Sequence, residues 1–224
     1  GVLGGHYFLG VPTVVDGALL AISEFDTQVY VSALRPSDGA LLWSRPIAIT
    51  TTPIHLDQQR YTMSASPVVG DGIVVVPTHA GVLLGLDLLT GTIRWGHEYD
   101  DAEQLQLLGA WPNNTRMQHG HAAFPNDPIV HQGRIVYLPP HACEVHCVDL
   151  LTGKKQWTER REDQDQSQAI EHVAAADGET VVVVGRLRCR GLDLSTGREV
   201  WSRPLSAPPA GRGARQGAAY LVPL

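Results

Sequence analysis

Residues 85–95 read GLDLLTGTIRW, and this stretch decides the fold because close copies of it occur three more times in the chain. The other copies span residues 33–43, 147–157 and 191–201. Each copy opens with a small residue, has a glycine six positions later and closes with a tryptophan four positions after the glycine. These positions hold Ala33, Gly85, Cys147 and Gly191, then Gly39, Gly91, Gly153 and Gly197, then Trp43, Trp95, Trp157 and Trp201. A repeat of this kind predicts one structural unit that is built four times.

The polar positions of the unit are repeated as well, with one exception. Three copies share an aspartate and a threonine before the glycine, namely Asp87 and Thr90, Asp149 and Thr152, and Asp193 and Thr196. The first copy has Arg35 and Asp38 at these places. An aspartate can accept hydrogen bonds from nearby backbone N–H groups, and glycine adopts positive φ at little cost. The pattern therefore predicts a tight turn between two strands.

A second repeated pattern lies about twenty residues before each copy. It is a turn with a glycine followed by a strongly apolar run, as in DGIVVVP, and its glycines are Gly17, Gly72, Gly133 and Gly178. A fifth such turn stands at Gly217. The four tryptophans lie 52, 62 and 44 residues apart, which leaves room for four strands per unit. This predicts an all-β fold, a β-propeller of four-stranded antiparallel blades with about four blades and the start of a fifth.

The pattern small-x-Asp-x-x-Thr-Gly-x-x-x-Trp resembles the tryptophan-docking motif of the pyrroloquinoline-quinone-like, or quinoprotein-type, β-propeller repeat family. The resemblance covers nearly the whole chain from about residue 11. It implies that each tryptophan packs against a neighbouring blade and that the small residue leaves room for the ring. It further implies similarity to a propeller lipoprotein of the outer-membrane β-barrel assembly machinery, and hence an extracytoplasmic place in the periplasm or envelope.

The repeats predict a single partial propeller over residues 1–224. We place its units at about 11–47, 66–99, 127–160 and 172–205, with a fifth starting near 213. Four blades alone would leave two exposed sheet edges. Two explanations stay open: the remaining blades belong to a longer chain, or a second copy of this chain completes the ring.

Composition excludes several classes of protein. Hydrophobic residues make up 43% of the 224 residues and charged residues 18%, which suits a chain with a buried core. The formal net charge is −6, so nothing favours a nucleic-acid partner. No apolar run reaches the length of a transmembrane segment.

The stretch from His97 to Asp127 is the one long insertion, and long loops within compact domains tend to be functional. Its candidate contacts to a partner protein are Trp111, as an aromatic anchor, and Arg116. Two of its histidines are weak candidates for metal binding together with nearby carboxylates; these are His119 and His121, with Glu98, Asp100 or Asp101. The other explanation is a solvated surface loop.

Residues 141–147, HACEVHC, hold a second group of possible metal ligands. On a strand, alternation puts His141, Cys143 and Cys147 on one face and His146 on the other, which divides any four-ligand set. Cys147 also occupies the small position of the repeat, where it can serve as a small buried apolar residue. We therefore predict no structural zinc site here.

We expect a non-catalytic scaffold or a protein- or ligand-binding module, which contacts other proteins through loops at the propeller faces; the resemblance implies a role in assembly of the envelope or of outer-membrane proteins. None of the catalytic residues of a quinone enzyme can be placed on this sequence, so we assign no catalytic residue, no cofactor and no metal. Two alternatives stay open. One is a fragment of a quinoprotein dehydrogenase, and the other is the sensor domain of a larger receptor or kinase.

Overall fold

The computed structural model describes residues 3–57, 60–61, 66–78, 81–99, 126–139, 142, 144–161 and 169–205. In this part the chain forms four sheets, and each sheet consists of four antiparallel strands that pair in chain order. The prediction of an all-β, propeller-type architecture is confirmed. The exact repeat boundaries stay a prediction, and the fifth unit near 213 lies outside the described residues.

The first two blades are N-terminal. Blade 1 consists of β1 (Tyr7–Val15), β2 (Ala18–Phe25), β3 (Gln28–Leu34) and β4 (Leu41–Ile49). A 3-10 turn over Ile54–Leu56 follows it. Blade 2 consists of β5 (Val68–Gly70), β6 (Ile73–Pro77), β7 (Val82–Asp87) and β8 (Ile93–Glu98).

The other two blades repeat the same plan. Blade 3 consists of β9 (Ile129–His131), β10 (Arg134–Tyr137), β11 (Glu144–Asp149) and β12 (Lys155–Arg160). Blade 4 consists of β13 (Ile170–Asp177), β14 (Thr180–Gly185), β15 (Arg188–Asp193) and β16 (Glu199–Pro204).

The up-and-down order of the strands gives the blades two different ends. At one end, which we call the short-turn end, lie the tight turns between the first and second strands and between the third and fourth strands. At the opposite end, the linker end, lie the turns between the second and third strands and the connections from one blade to the next. In blades 2, 3 and 4 the two short turns are tied together by a backbone hydrogen bond; in blade 2, Leu88 N–H donates to the Gly72 carbonyl oxygen at 2.9 Å.

The first strands of successive blades lie next to one another. The strand β9 contacts both β5 and β13, and the Thr13 hydroxyl of β1 donates to the Pro67 carbonyl oxygen at 2.6 Å, just before β5. This places the first strands innermost, around the axis of a propeller, and the tryptophan-bearing fourth strands outermost.

The core consists of three layers between blades rather than one central mass. In β6, Val74 and Val76 pack toward blade 1, whereas Val75 packs toward blade 3. Because alternate side chains of a strand point to opposite faces, a strand buried on both faces is a continuous apolar run, which explains IVVV at residues 73–76. A third layer joins blades 3 and 4 around Val136 and Val183.

An indole ring crosses each of these three layers at its outer side. The indole N–H groups donate to backbone carbonyl oxygens of the next blade, from Trp43 to Leu88 at 3.1 Å, from Trp95 to Leu150 at 2.9 Å and from Trp157 to Leu194 at 2.9 Å. The ring faces lie over the turn glycines of that next blade, which are Gly91, Gly153 and Gly197 respectively. We call this arrangement a seam.

Space is limited on both sides of a seam: the turn of the next blade has a glycine, and the position beneath the ring has a small residue, Ala33, Gly85 or Cys147. Gly91 has φ +66°, and a Cβ there would lie 2.6 Å from Cε3 of Trp43. Gly85, which pairs with Trp95 across β7 and β8, would place a Cβ 2.0 Å from Cε2 of that ring. Any side chain at either glycine would have to displace the indole.

The stabilising role of the seam tryptophans is open to direct test. We expect Trp95→Ala to lower the free energy of unfolding by about 3–5 kcal/mol, because the side chain is buried and its removal leaves a cavity between blades 2 and 3. Urea unfolding followed by circular dichroism measures the change. Trp201→Ala is the matched control, since this ring is only partly buried and should cost less. An unchanged unfolding midpoint in Trp95→Ala would contradict the docking role.

Candidate functional site

The aspartates of the repeat hold the turns at the short-turn end. The Asp87 carboxylate accepts hydrogen bonds from the Thr90 N–H at 2.9 Å, the Thr90 hydroxyl at 2.9 Å and Arg94 at 2.7 Å. The Arg94 guanidinium, followed by the Thr90 N–H, lowers the pKa of Asp87 from 3.8 to about 2. The same turn geometry lowers the pKa of Asp149, chiefly through the Thr152 hydroxyl, and that of Asp193, chiefly through the Ser195 hydroxyl.

The first copy of the repeat builds the same turn with its polar groups exchanged. Arg35 N–H donates to the Ala40 carbonyl oxygen and Gly39 N–H to the Arg35 carbonyl oxygen, at 2.7 and 2.8 Å. The carboxylate now comes from the other side of the turn, because Asp38 accepts from Ala40 N–H at 3.0 Å and from the Arg35 side chain at 2.8 Å. The departure from the repeat therefore preserves the backbone shape, with Gly39 at φ +70°.

Each seam has a second contact, made by the residue two positions after the tryptophan; for Trp43 it lies at the short-turn end, and for Trp95 and Trp157 at the linker end. Arg45 donates to the Thr90 carbonyl oxygen at 3.1 Å. His97 lies 3.3 Å from His146, measured from Nε2 to Nδ1, and Glu159 accepts from Arg190 at 2.6 Å. These three polar contacts are chemically different, whereas the packing of the indole ring is the same in each seam.

Blade 1 presents an unusual surface at the linker end. In the described part of the chain, the exposed aromatic side chains are Tyr7, Phe8, Phe25 and Tyr61, each between 47 and 54% exposed. Tyr7 and Phe8 begin β1, Phe25 ends β2, and Tyr61 belongs to the connection toward blade 2. We call these four residues, with the exposed Leu56, the aromatic patch. Tyr7 lies with Glu24 on the face of the sheet toward blade 2, whereas Phe8 and Phe25 lie on the opposite face.

A buried ion pair fixes the connection that carries part of this patch. The Glu24 side chain is 2% exposed and accepts from Arg60 Nη1 at 2.6 Å and from Ile54 N–H at 2.7 Å. Arg60 also donates to the Thr52 carbonyl oxygen at 2.7 Å. His55 stacks on Tyr7 with ring centroids 5.8 Å apart. Leu56 and Tyr61 are thus displayed on a connection that is tied to the body of blade 1.

The other residues that the sequence suggested as metal ligands or partner contacts lie partly outside the described residues and partly within the blades. Trp111, Arg116, His119 and His121 lie outside the described residues, as do Asp100, Asp101, His141 and Cys143. Cys147 is buried between blades 3 and 4, and burial raises the pKa of its thiol to about 12. His146 faces the opposite way, toward His97 and Tyr99 of blade 2. Among the described residues no three His, Cys, Asp or Glu side chains come together as a metal site.

The sequence reasoning missed the aromatic patch and the Glu24–Arg60 pair. Neither belongs to the repeat, so the alignment of the four units carries no signal for them. The one available hint is that aromatic residues stand at Tyr7, Phe8 and Phe25, where the ends of strands usually carry polar residues.

Comparison with known proteins decides the family. A family model described as Outer membrane protein assembly factor BamB matches residues 7–108 and 111–220. The chain belongs to this family. No curated protein matches the sequence.

Solved structures of this family and of others share the fold. BamB from Moraxella catarrhalis is 16% identical with a TM-score of 0.58, over 89% of this chain and 51% of that one. The quinohemoprotein alcohol dehydrogenase from Comamonas testosteroni is 16% identical with a TM-score of 0.60, over 88% and 35%. The computationally designed Ika8 protein is 15% identical with a TM-score of 0.55, over 87% and 48%.

These likenesses establish the architecture alone. An assembly factor, a dehydrogenase and a designed protein all resemble the chain to a similar degree, so the fold does not choose among functions. The chain spans about half or less of the length of each of these proteins. In the described part, no helix is long and apolar enough to cross a membrane.

The turn aspartates predict a loss of stability in acid. Because the pKa of Asp87 is lower in the folded chain than its ordinary value of 3.8, its carboxylate stabilises the fold above that value and ceases to do so as the pH falls through about 2. We expect the melting temperature to fall more steeply between pH 4 and pH 2 in the unmodified chain than in Asp87→Asn. Equal slopes in the two proteins would refute the assignment.

The Glu24–Arg60 pair predicts a local opening. We expect Glu24→Gln to cost about 3 kcal/mol, since it leaves a mostly buried guanidinium without its principal partner. Asp57→Asn removes the more exposed partner of the same arginine, at 3.4 Å, and should cost about 1 kcal/mol or less. Tryptic cleavage after Arg60 should accelerate in Glu24→Gln and much less in Asp57→Asn. Cleavage at the unmodified rate in Glu24→Gln would show that the pair does not hold the connection.

Proposed function

We propose that this chain is a non-catalytic scaffold that binds another protein at the linker end of its blades, outside the cytoplasm, during assembly of outer-membrane proteins. The aromatic patch is the observation that carries the proposal. The match to the family described as Outer membrane protein assembly factor BamB supports the process and the compartment.

Exposed aromatic side chains suit a binding surface. Aromatic residues are enriched in the centres of protein interfaces, where a few of them supply most of the binding energy. Here all the exposed rings of the described residues gather at one end of one blade. None of the four rings belongs to the three layers between the described blades, and Phe8 and Phe25 lie on the face of blade 1 that points away from blade 2.

The part of the patch that lies on the face toward blade 2 is also held in place before any partner arrives. Glu24 fixes the connection at both Ile54 and Arg60, and Tyr7 stacks on His55. A surface that is already ordered loses less conformational entropy on binding, so more of the contact energy remains as affinity. This favours a scaffold whose partner docks on a rigid face.

Cross-linking tests the proposal at residue resolution. We would place a photoreactive phenylalanine analogue at Tyr61 or Leu56, and at Val200 as a control on the outermost strand of blade 4, which is similarly exposed. We expect positions 61 and 56 to form one adduct with a protein of the outer-membrane assembly pathway, identified by mass spectrometry, and position 200 to form none. Adducts from all three positions, or from none, would refute binding at the linker end.

A second candidate function is a quinone-dependent dehydrogenase, favoured by the shared fold with the enzyme from Comamonas testosteroni. This function requires pyrroloquinoline quinone bound together with calcium. Among the described residues, no three His, Cys, Asp or Glu side chains come together that could hold the calcium ion. If the chain oxidises an alcohol in a dye-linked assay after addition of quinone and calcium, it is a dehydrogenase and the scaffold proposal is wrong. We expect no turnover.

A further inference from the structure

The short-turn end contains an open cleft of about 510 Å³ beside blade 2. Its walls come from turns of three successive blades, with Asp16 from blade 1, Asp71 and Leu89 from blade 2, and Leu151 from blade 3. A volume of this size is within the range of sites that bind small molecules or short peptide segments. The cleft lies at the end of the blades opposite to the aromatic patch.

Two leucines border this cleft at positions where the fold does not need them. Leu89 is 85% exposed and Leu151 is 61% exposed. Both occupy the same place in the repeat, directly before Thr-Gly, and the first and fourth copies have serine there, at Ser37 and Ser195. Since the turn forms equally well with serine, the exposed leucines are not explained by folding.

The charge of the cleft is negative. Asp16 and Asp71 both stand at turn positions with φ +46° and form no ion pair with any residue that the structure describes. The cation of the cleft is Arg94, and its guanidinium is already bound to the Asp87 carboxylate at 2.7 Å. Two carboxylates therefore stand beside two exposed aliphatic side chains with no local cation to neutralise them.

We propose that this cleft binds an extended peptide segment of a partner protein in which one lysine or arginine stands between aliphatic residues. The cation would lie toward Asp16 and Asp71, and the aliphatic side chains on either side would cover Leu89 and Leu151. Carboxylates alone would suit a hydrated metal ion, but an ion makes no use of the leucines. The combination of charge complementarity with apolar surface favours a peptide.

The proposal does not depend on the scaffold function, because the residues involved and the end of the blade are different. Binding at the linker end can fail while the cleft binds its peptide, and the reverse also holds. A chain that binds at both ends would connect two partners.

Titration of the ¹⁵N-labelled chain with short peptides tests the proposal directly. The probe is acetyl-Leu-Arg-Leu-amide, and the comparison peptides are acetyl-Leu-Glu-Leu-amide and acetyl-Gly-Arg-Gly-amide. We expect the probe to shift the amide signals of residues 71–73 and 87–89, and both comparison peptides to bind at least five-fold more weakly. Raising the salt concentration from 50 mM to 500 mM should weaken binding of the probe, because opposite charges are screened.

Two variants separate binding from folding. Leu89→Ser inserts the residue that the fold already uses at Ser37 and Ser195, and Asp71→Asn retains a side chain that tolerates positive φ. Each should keep the circular dichroism spectrum and weaken binding of the probe at least five-fold. Leu56→Ser, in the aromatic patch, should bind the probe like the unmodified chain.

Three results would overturn the proposal. The first is the absence of signal shifts at millimolar probe. The second is equal affinity for the arginine and glutamate peptides. The third is unchanged affinity in both Leu89→Ser and Asp71→Asn. If calcium chloride shifts the same amide signals and the probe does not, the cleft binds a cation and the peptide proposal is wrong.

Discussion

The indole ring at each seam is the contact on which the arrangement of blades depends. It must fit three constraints at once: a small residue beneath it in its own sheet, a glycine in the turn of the next sheet, and a carbonyl oxygen within reach of its N–H. Trp95 meets them through Gly85, Gly153 and Leu150. Because the carbonyl belongs to a tight turn, the aspartate that shapes the turn also sets the distance between blades, so the motif couples local turn chemistry to long-range packing.

The exchanged turn of blade 1 shows which part of this motif is essential. Arg35 and Asp38 replace the usual aspartate and threonine, yet the backbone hydrogen bonds of the turn are the same as those around Asp87 and Gly91. What the sequence must preserve is the backbone path and the positive φ of the glycine, and more than one set of side chains can stabilise that path. The aspartate is therefore one solution to a geometric requirement, and the glycine is part of the requirement itself.

The architecture could be predicted from the sequence because each blade needs the same tight turn and the same packing of a tryptophan. Four copies in register expose what is constant, and the constant positions are those of turns and seams. The candidate sites could not be found in this way. Tyr7 and His55 come together only through the path of the connection after β4, and the role of Glu24 depends on Arg60, 36 residues away. Nor does the repeat distinguish Leu89 from the serines at the same place, because the turn accepts both.

The fold therefore restricts the choice of residues more strongly at one end of the blades than at the other. At the short-turn end nearly every turn position serves a hydrogen bond, which leaves the positions of Leu89 and Leu151 among the few that can vary without cost. At the linker end the connections share no motif, and the polar pairs that cross the seams there differ, with His97 beside His146 and Glu159 bound to Arg190. In this chain the variable side chains thus lie away from the turn glycines that cover the tryptophans, because a side chain at one of those glycines would push two blades apart.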